Sequence, residues 1–414
     1  MLSVTDNEKL ARTGPGTPMG ELFRRFWIPA ILSSELPEVD GPPVKVGLLS
    51  EKLVAFRDSS GRVGLLESRC PHRHANLYWG RNEDGGLRCV YHGWKFAADG
   101  TCLDQPAEPE GSHFKDHVCA VAYLTHEAGG IIWAYLGPEE KAPPFPAFDW
   151  TFLDPDHYVA HKRLQQCNYL QNLEGELDTA HVNFLHRSWA PGEPVMPPAS
   201  LSRKRYLVAE TDFGLLCMAR SNAGDGQYYW RITPFHLPSY TMPPVGANAW
   251  LGAVPIDDDN MWGFAVSFDP DRPLTPGRGG SAHSMKVDPK TFLPEANISN
   301  DYMRDLGRQR NGSWTGMKLI KEQDMAVQED QDGPRMRRQE EHLGVTDGAI
   351  VAARRLLIRL ADDLALGIEP PQARHPDAYR LRSLAVTAPG EADPVELWLG
   401  AQPAPLASTA SRTD

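Results

Sequence analysis

The chain has 414 residues, 41% of them hydrophobic, and a formal net charge of −12 at pH 7; that length suits two or three domains rather than one core. The acidic balance excludes a broad nucleic-acid surface, which needs clustered Lys and Arg to displace counterions from phosphates. Six cysteines, at 70, 89, 102, 119, 167 and 217, are too few for a disulfide framework at this length, and thiols in a reducing compartment are expected.

Residues 1–42 read as an N-terminal segment in which "PMGELFRRFWIPA" (18–30) has the pattern of a short amphipathic helix. It lacks the basic start and apolar run of a secretory signal. From 43 to 140 short β-rich runs such as "VKVGLLSEKLVAFRD" and "GIIWAYLG" alternate with Gly and Asp turns, which predicts a small all-β unit. "IIWAYLG" is a buried strand, far short of the roughly 18–20 apolar residues of a membrane span. A cytoplasmic protein is the expectation. Residues 141–150 form a Pro-rich linker.

The second unit, 151–400, opens with a strand near 157–165 and passes into "CNYLQNLEGELDTAHVNFLH", where Leu170, Leu173 and Leu177 recur at helical spacing. Long β-type runs with short polar connections then predict an antiparallel meander. The Gly- and Pro-rich stretch 269–284 reads as a long loop. Helical spacing returns at 319–330 and at 347–366, the latter with an Asp at its N-cap. The fold class is α+β, and residues 401–414 have too little apolar content to pack, so a disordered tail is expected.

Two constellations carry chemistry. In "CPHRHANLYWGRNEDGGLRCVYHGW" (70–94), Cys70 and His72 form a Cys-x-His step and Cys89 and His92 a Cys-x-x-His step, with sixteen residues between. Two tight pairs can hold one metal centre, and the choice lies between structural zinc and an iron–sulfur cluster. Zinc fingers pair like with like, whereas here each pair mixes a thiolate and an imidazole. A [2Fe–2S] cluster with two thiolates on one iron and two histidines on the other wants that arrangement. The stretch resembles the Rieske family, and the likeness runs on through "CVYHGWKF", "DG" at 99–100 and "GGIIWAYLGP" at 129–138. His74 reads as an ordinary loop histidine, and Cys102, Cys119, Cys167 and Cys217 as buried small hydrophobes.

The second constellation is Asp178, His181 and His186. By the 3.6-residue period Asp178 and His181 share a helix face, but His186 points about 140° away. If both histidines bind one ion, the helix must be distorted or end between them. Two imidazoles and a carboxylate form the facial triad of mononuclear non-haem iron(II) enzymes; the plain alternative is a pair of histidines satisfied by hydrogen bonds. The Asp-x-x-His-x₄-His pattern, preceded by Asn168 and Tyr169, resembles the iron site of the Rieske non-haem iron oxygenases, and "QDMAVQE" with "EHLGVTDGAIVAARRLL" resembles their phthalate 4,5-dioxygenase-like branch.

The resemblance implies a Rieske [2Fe–2S] domain at 43–140 and a helix-grip (START-like) catalytic domain at 151–400 with C-terminal helices. It implies one cluster on Cys70, His72, Cys89 and His92, and one Fe(II) on His181, His186 and a late carboxylate. Of Glu322, Asp324, Glu329 and Asp330, Asp324 is chosen. Asp178 would hydrogen-bond His181 and reach His92 of a neighbouring subunit, in a homotrimer or a dimer of trimers. Electrons would come from NAD(P)H through a separate flavin and [2Fe–2S] reductase, because the chain shows no Rossmann fingerprint and no second cysteine cluster. With O₂ as cosubstrate, the expected activity is dihydroxylation, monooxygenation or O-demethylation of an aromatic, carboxylated substrate, with Arg220 and Arg231 as candidates for its carboxylate. The competing functions are a Rieske electron carrier with a helix-grip binding domain and no oxygenase chemistry, and a structural zinc protein.

Overall fold

The computed structural model describes residues 2–186, 205–245, 248–275 and 285–403. Helix α1 (Val4–Ala11) starts at Ser3, whose hydroxyl accepts from the Asp6 amide, and α2 (Pro18–Phe23) starts at Thr17 with Pro18 at its first position. The helix expected over 18–30 therefore stops at Phe23. Pro29, lacking an N–H, cannot sit inside a helix, and the chain enters strand β1 (Ile28–Leu32) instead.

β1 lies in the stretch expected to be a separate N-terminal segment, yet it belongs to the first sheet. That sheet continues with β2 (Val44–Leu48), β3 (Glu51–Arg57) and β4 (Val63–Glu67). A second, four-stranded sheet follows, with β5 (Arg81–Glu83), β6 (Gly86–Arg88), β7 (Lys95–Phe96) and β8 (Cys102–Asp104). The chain then returns through β9 (Ala122–Ala128) and β10 (Ile131–Tyr135), giving the order β1-β10-β9-β4-β3-β2. All five residues of β10 are buried. A small core of Val54, Phe56, Leu66, Leu77, Leu87 and Phe96 lies between the two sheets and seats the loops that carry Cys70 and Cys89.

The second unit has β11 (Tyr158–Gln165), α3 (Tyr169–Leu177), β12 (Arg205–Thr211), β13 (Gly214–Gly224), β14 (Gln227–His236), β15 (Tyr240–Thr241), β16 (Asn248–Pro255) and β17 (Met261–Phe268). Helices α4 (Ile320–Glu329) and α5 (Gly348–Ala365) follow, then β18 (Leu384–Pro389). The sheet order β11-β17-β16-β15-β14-β13-β12 is the expected antiparallel meander, with β18 added against β14. α5 buries Ala349, Ala353, Leu356, Leu357 and Leu360, one helical stripe, against α2 and the β12–β13 side of the sheet.

The Pro-rich stretch 141–150 does not run free. Phe148 and Trp150 are fully buried, with Phe148 stacked on Trp133 at 5.3 Å and Trp150 at 5.2 Å from Trp250, so one apolar core joins the two units. Most of the expected long loop (276–284) and of the expected tail (404–414) lie outside the described residues. Among the described residues no helix is long and apolar enough to cross a membrane.

Candidate active site

Two loops of matching build present the first four ligand-type side chains. In each, the cysteine amide donates to a carbonyl five residues on, Cys70 to Ala75 and Cys89 to Trp94, both at 2.8 Å. The cysteine carbonyl in turn accepts from the residue four on, His74 at 2.8 Å and Gly93 at 2.9 Å. Those two residues hold the left-handed turn, His74 at φ 61 and Gly93 at φ 79. His74 thus has a backbone role that the sequence did not reveal. A Cβ on Gly93 would stand 2.6 Å from Pro106 Cγ, so glycine is required there.

The Cys70 and Cys89 thiols are buried and interact, and burial pushes the Cys70 thiol up to about 11. The rings of His72 and His92 meet edge to face at 4.5 Å, and His72 stacks on Trp94 at 4.3 Å. His72 Nδ1 is buried without a hydrogen-bond partner, an orphan that a metal centre would satisfy. Among the described residues only His181, His186 and Asp324 bring three metal-binding atoms within 4.8 Å of one another. The thiols of Cys70 and Cys89 lie together and the rings of His72 and His92 lie together, a two-and-two donor set that suits a [2Fe–2S] cluster. Cys102, Cys167 and Cys217 are buried as expected, but Cys119 is exposed.

The second constellation forms because α3 ends where it must. Asp178 caps its C-terminus in extended backbone, and the Asp178 carboxylate accepts from the amides of Ala180 at 2.6 Å and His181 at 3.3 Å. A separate 3₁₀ turn, His181–Asn183, starts there, and the change of direction lets His186 swing back beside His181, their rings 5.1 Å apart. Asp324 reaches in from α4, with Oδ1 at 3.1 Å from His186 Nε2 and 3.6 Å from His181 Nε2. The other three candidate carboxylates lie elsewhere or do other work: Glu322 caps α4 by accepting from Lys318 and Leu319, Glu329 accepts from Tyr302 Oη at 2.6 Å, and Asp330 is exposed where α4 ends.

Both histidines turn Nε2 inward because Nδ1 is engaged behind. His181 Nδ1 lies 3.4 Å from Asp178 Oδ2, and His186 Nδ1 lies 2.8 Å from Gln323 Oε1. Gln323 and Lys321, which touches Asp324 Oδ2 at 3.2 Å, were not expected from the sequence; their position beside Asp324 on α4 was the only signal. Burial would raise the Asp324 carboxyl, but Lys321 and the two histidines hold it well below the usual range. Burial likewise opposes the charge on His181, yet Asp178 and Asp324 raise it above its ordinary value.

Arg220 and Arg231 cannot line one cavity together. In the β13–β14 register Arg220 faces Trp230 and Arg231 faces Ala219, which puts the two arginines on opposite faces of the sheet. The Arg220 guanidinium covers Tyr228 at 4.1 Å and Trp230 at 5.5 Å. Arg231 shares its face with Tyr206, paired to the same Ala219, and Tyr206 is close enough to Asp178 for that charge, after burial, to help push its phenol up to about 12. Arg231 therefore shares a sheet face with a tyrosine that the charge of Asp178 reaches. Its Nη1 donates to Pro244 O at 3.2 Å, and its Nε is buried without a partner.

Residues 26–122 match the Rieske [2Fe-2S] domain, and residues 134–378 match the family described as LigXa C-terminal domain like. The chain is 38% identical over 409 residues to the 3-chlorobenzoate-3,4-dioxygenase oxygenase subunit of Comamonas testosteroni, with 92% of this chain and 93% of that one covered. The chain belongs to the Rieske non-haem iron oxygenases. It is 35% identical over 382 residues to the phthalate 4,5-dioxygenase oxygenase subunit of Pseudomonas putida (86% of each chain). It is 32% identical over 381 residues to the 5,5'-dehydrodivanillate O-demethylase oxygenase subunit of a Sphingobium strain (89% and 83%). Its fold matches dicamba monooxygenase bound to dicamba with a TM-score of 0.60 at 20% identity, over 83% of this chain and 99% of that one. This Rieske oxygenase is the oxygenase component of a multicomponent system, using a [2Fe–2S] cluster, a mononuclear non-haem iron and O₂, with a separate reductase. A Rieske electron carrier with a mere binding domain is not favoured, since relatives matching nearly the whole chain are oxygenase subunits.

Proposed function

We propose that this oxygenase acts on an aromatic carboxylate, with the cluster on Cys70, His72, Cys89 and His92 and the mononuclear iron on His181, His186 and Asp324. The observation that carries the iron assignment is the convergence of two Nε2 atoms and one carboxylate within 4.8 Å, both imidazoles backed at Nδ1. That donor set fits iron(II) and leaves coordination positions open. The iron, when bound, supplies the activation of O₂. The chain's own residues do the rest: Asp178 and Gln323 orient the imidazoles, and Lys321 contacts the second oxygen of Asp324. Asp178, its side chain 23% exposed, would link His181 to His92 of the partner subunit, and a homotrimeric ring is the assembly that would complete that electron path.

For the substrate, Arg231 supports a carboxylate anchor. It is a largely buried guanidinium on the sheet face of Tyr206, with a free Nε and no carboxylate paired to it among the described residues. The Tyr206 hydroxyl, buried and unpartnered on the same face, adds a second donor. The relatives named for chlorobenzoate and phthalate accord with that chemistry. The test is a product screen with reductase, NAD(P)H and benzoates, phthalates or methoxybenzoates. Gain of two oxygens and two hydrogens marks cis-dihydroxylation, and loss of CH₂ marks O-demethylation. His181→Ala should abolish substrate-dependent O₂ uptake while keeping the reduced-cluster EPR signal. Turnover surviving in that variant would remove the iron assignment, and activity only on uncharged arenes would remove the carboxylate.

A further inference from the structure

Asp324 does not offer two equivalent oxygens. Oδ1 faces His186 Nε2 and His181 Nε2, whereas Oδ2 lies 3.2 Å from the ammonium of Lys321, one helical turn earlier on α4. The same ammonium contacts Glu176 from α3, so Lys321 ties the α4 carboxylate to the helix that leads into the histidines. The three side chains are only 7%, 8% and 11% exposed. The buried guanidinium of Arg163, near enough for the charges of Glu176 and Asp324 to act on it, packs directly on Gly263, where a Cβ would stand 2.6 Å from its Cζ.

A buried ammonium is stable only while its carboxylate partners stay in place. Turning Asp324 so that both oxygens reach an ion would pull Oδ2 off Lys321 and leave that ammonium with Glu176 alone. At short range in a weakly screened interior that exchange is unfavourable.

We propose that Lys321 is a positioning residue that withholds Oδ2 of Asp324 from the metal, so that Asp324 binds iron through Oδ1 alone. Three protein atoms then hold the ion, and one more coordination position stays open than with a two-oxygen carboxylate. This rests on the reading of His181, His186 and Asp324 as the iron site.

The decisive measurement is a crystal structure of the full chain loaded with Fe²⁺ or Co²⁺. One Asp324 oxygen is expected at about 2.0–2.2 Å from the ion, the range for carboxylate ligands, with the other still on Lys321. In Lys321→Met, Oδ2 should join the ion, and the visible absorption of the Co²⁺ form should lose intensity as the coordination number rises. Two bonded oxygens in the wild type, or an unchanged Co²⁺ spectrum in a folded K321M protein, would overturn the proposal. The wild-type result needs no variant to fold. A wild type that binds no ion at His181, His186 and Asp324 would instead overturn the iron site itself, a different outcome from binding through both oxygens.

Discussion

Gln323 decides which nitrogen of His186 is free. Its Nε2 faces the Met317 carbonyl, which orients the amide so that Oε1 accepts from His186 Nδ1 and Nε2 is left as the ligand atom. Gln323→Leu should lower Fe²⁺ or Co²⁺ affinity about 10- to 100-fold, the usual effect of removing such a support, with the Rieske EPR signal unchanged; equilibrium dialysis giving wild-type affinity would refute the role. His236 is a residue of the opposite kind. It is fully buried among Phe148, Phe213 and Tyr379, neither ring nitrogen has a partner, and burial lowers its pKa to about 3. In the unfolded chain it titrates near pH 6.5, so between about pH 6.5 and 3 the unfolded state binds the extra proton and stability falls as pH falls. At pH 5 this costs about 2 kcal/mol, at about 1.4 kcal/mol per pH unit below 6.5. His236→Phe should therefore gain that much on wild type between urea titrations at pH 7.5 and pH 5; parallel behaviour of the two proteins would sink the argument. At this scale the sequence was legible where chemistry has a spacing. Cys70, His72, Cys89 and His92 could be read directly, and so could Asp178, His181 and His186, whereas Gln323 meets His186 across 137 positions with no pattern to announce it.

α3 shows what periodicity reveals and what it hides. Leu170, Leu173 and Leu177 marked it as helical, but its polar residues Gln171, Asn172 and Glu174 are buried too. They are satisfied across the gap to α4 and beyond. Gln171 Nε2 donates to the Gln328 carbonyl at 2.7 Å, and Asn172 Nδ2 to Gln328 Oε1 at 3.0 Å. Gly175 completes the contact, because a Cβ there would fall 2.3 Å from Gln328 Nε2. These bonds set the separation of α3 from α4, and hence that of the two histidines from Asp324. Glu174 adds a buried charge cluster, with Oε1 at 3.0 Å from Arg338 Nε and 2.7 Å from Arg354 Nε of α5. Glu174→Ala takes from Arg338 its paired carboxylate and leaves Arg354 with Glu341 alone, which should cost about 3–5 kcal/mol, read as a lower urea midpoint; a change under about 0.5 kcal/mol, the usual scale for surface positions, would show that the cluster is not structural. An amphipathic reading cannot foresee such a helix, since it assigns polar side chains to water. β18 escaped for a related reason: its alternation is legible only once β14 is there to pair with it.

The first helices of the N-terminal segment, which a sequence reading sets apart from both domains, are built onto the second. The carbonyls of Leu10 and Ala11 in α1 accept from Tyr169 Oη at 2.9 Å and Asn168 Nδ2 at 2.8 Å, at the start of the helix that positions Asp178. Asn7 Nδ2 donates to the Met336 carbonyl, and Lys9 and Arg25 pair with Asp362 and Glu369 around the end of α5. Leu10, Met19, Leu22 and Phe23 are wholly buried in the core shared by both units. Domain order along the chain is therefore a poor guide to what supports the iron site, because linear reading cannot see a segment that folds back past the whole first domain. Deleting residues 2–23 removes those four side chains and the burial they contribute, each worth about 1.5–3 kcal/mol, and takes the acceptors from Tyr169 Oη and from one N–H of Asn168 Nδ2, at about 1–3 kcal/mol each. The total is comparable with the roughly 5–15 kcal/mol by which a domain is stable. β1 and the strands that carry the cluster loops remain in the truncated chain. The truncated protein should lose the cooperative unfolding transition of the second unit and its stoichiometric mononuclear metal, measured by calorimetry and metal analysis, while retaining a reducible cluster seen by EPR. Full metal content with an unshifted transition would mean that the α1–α3 contacts contribute nothing to the site.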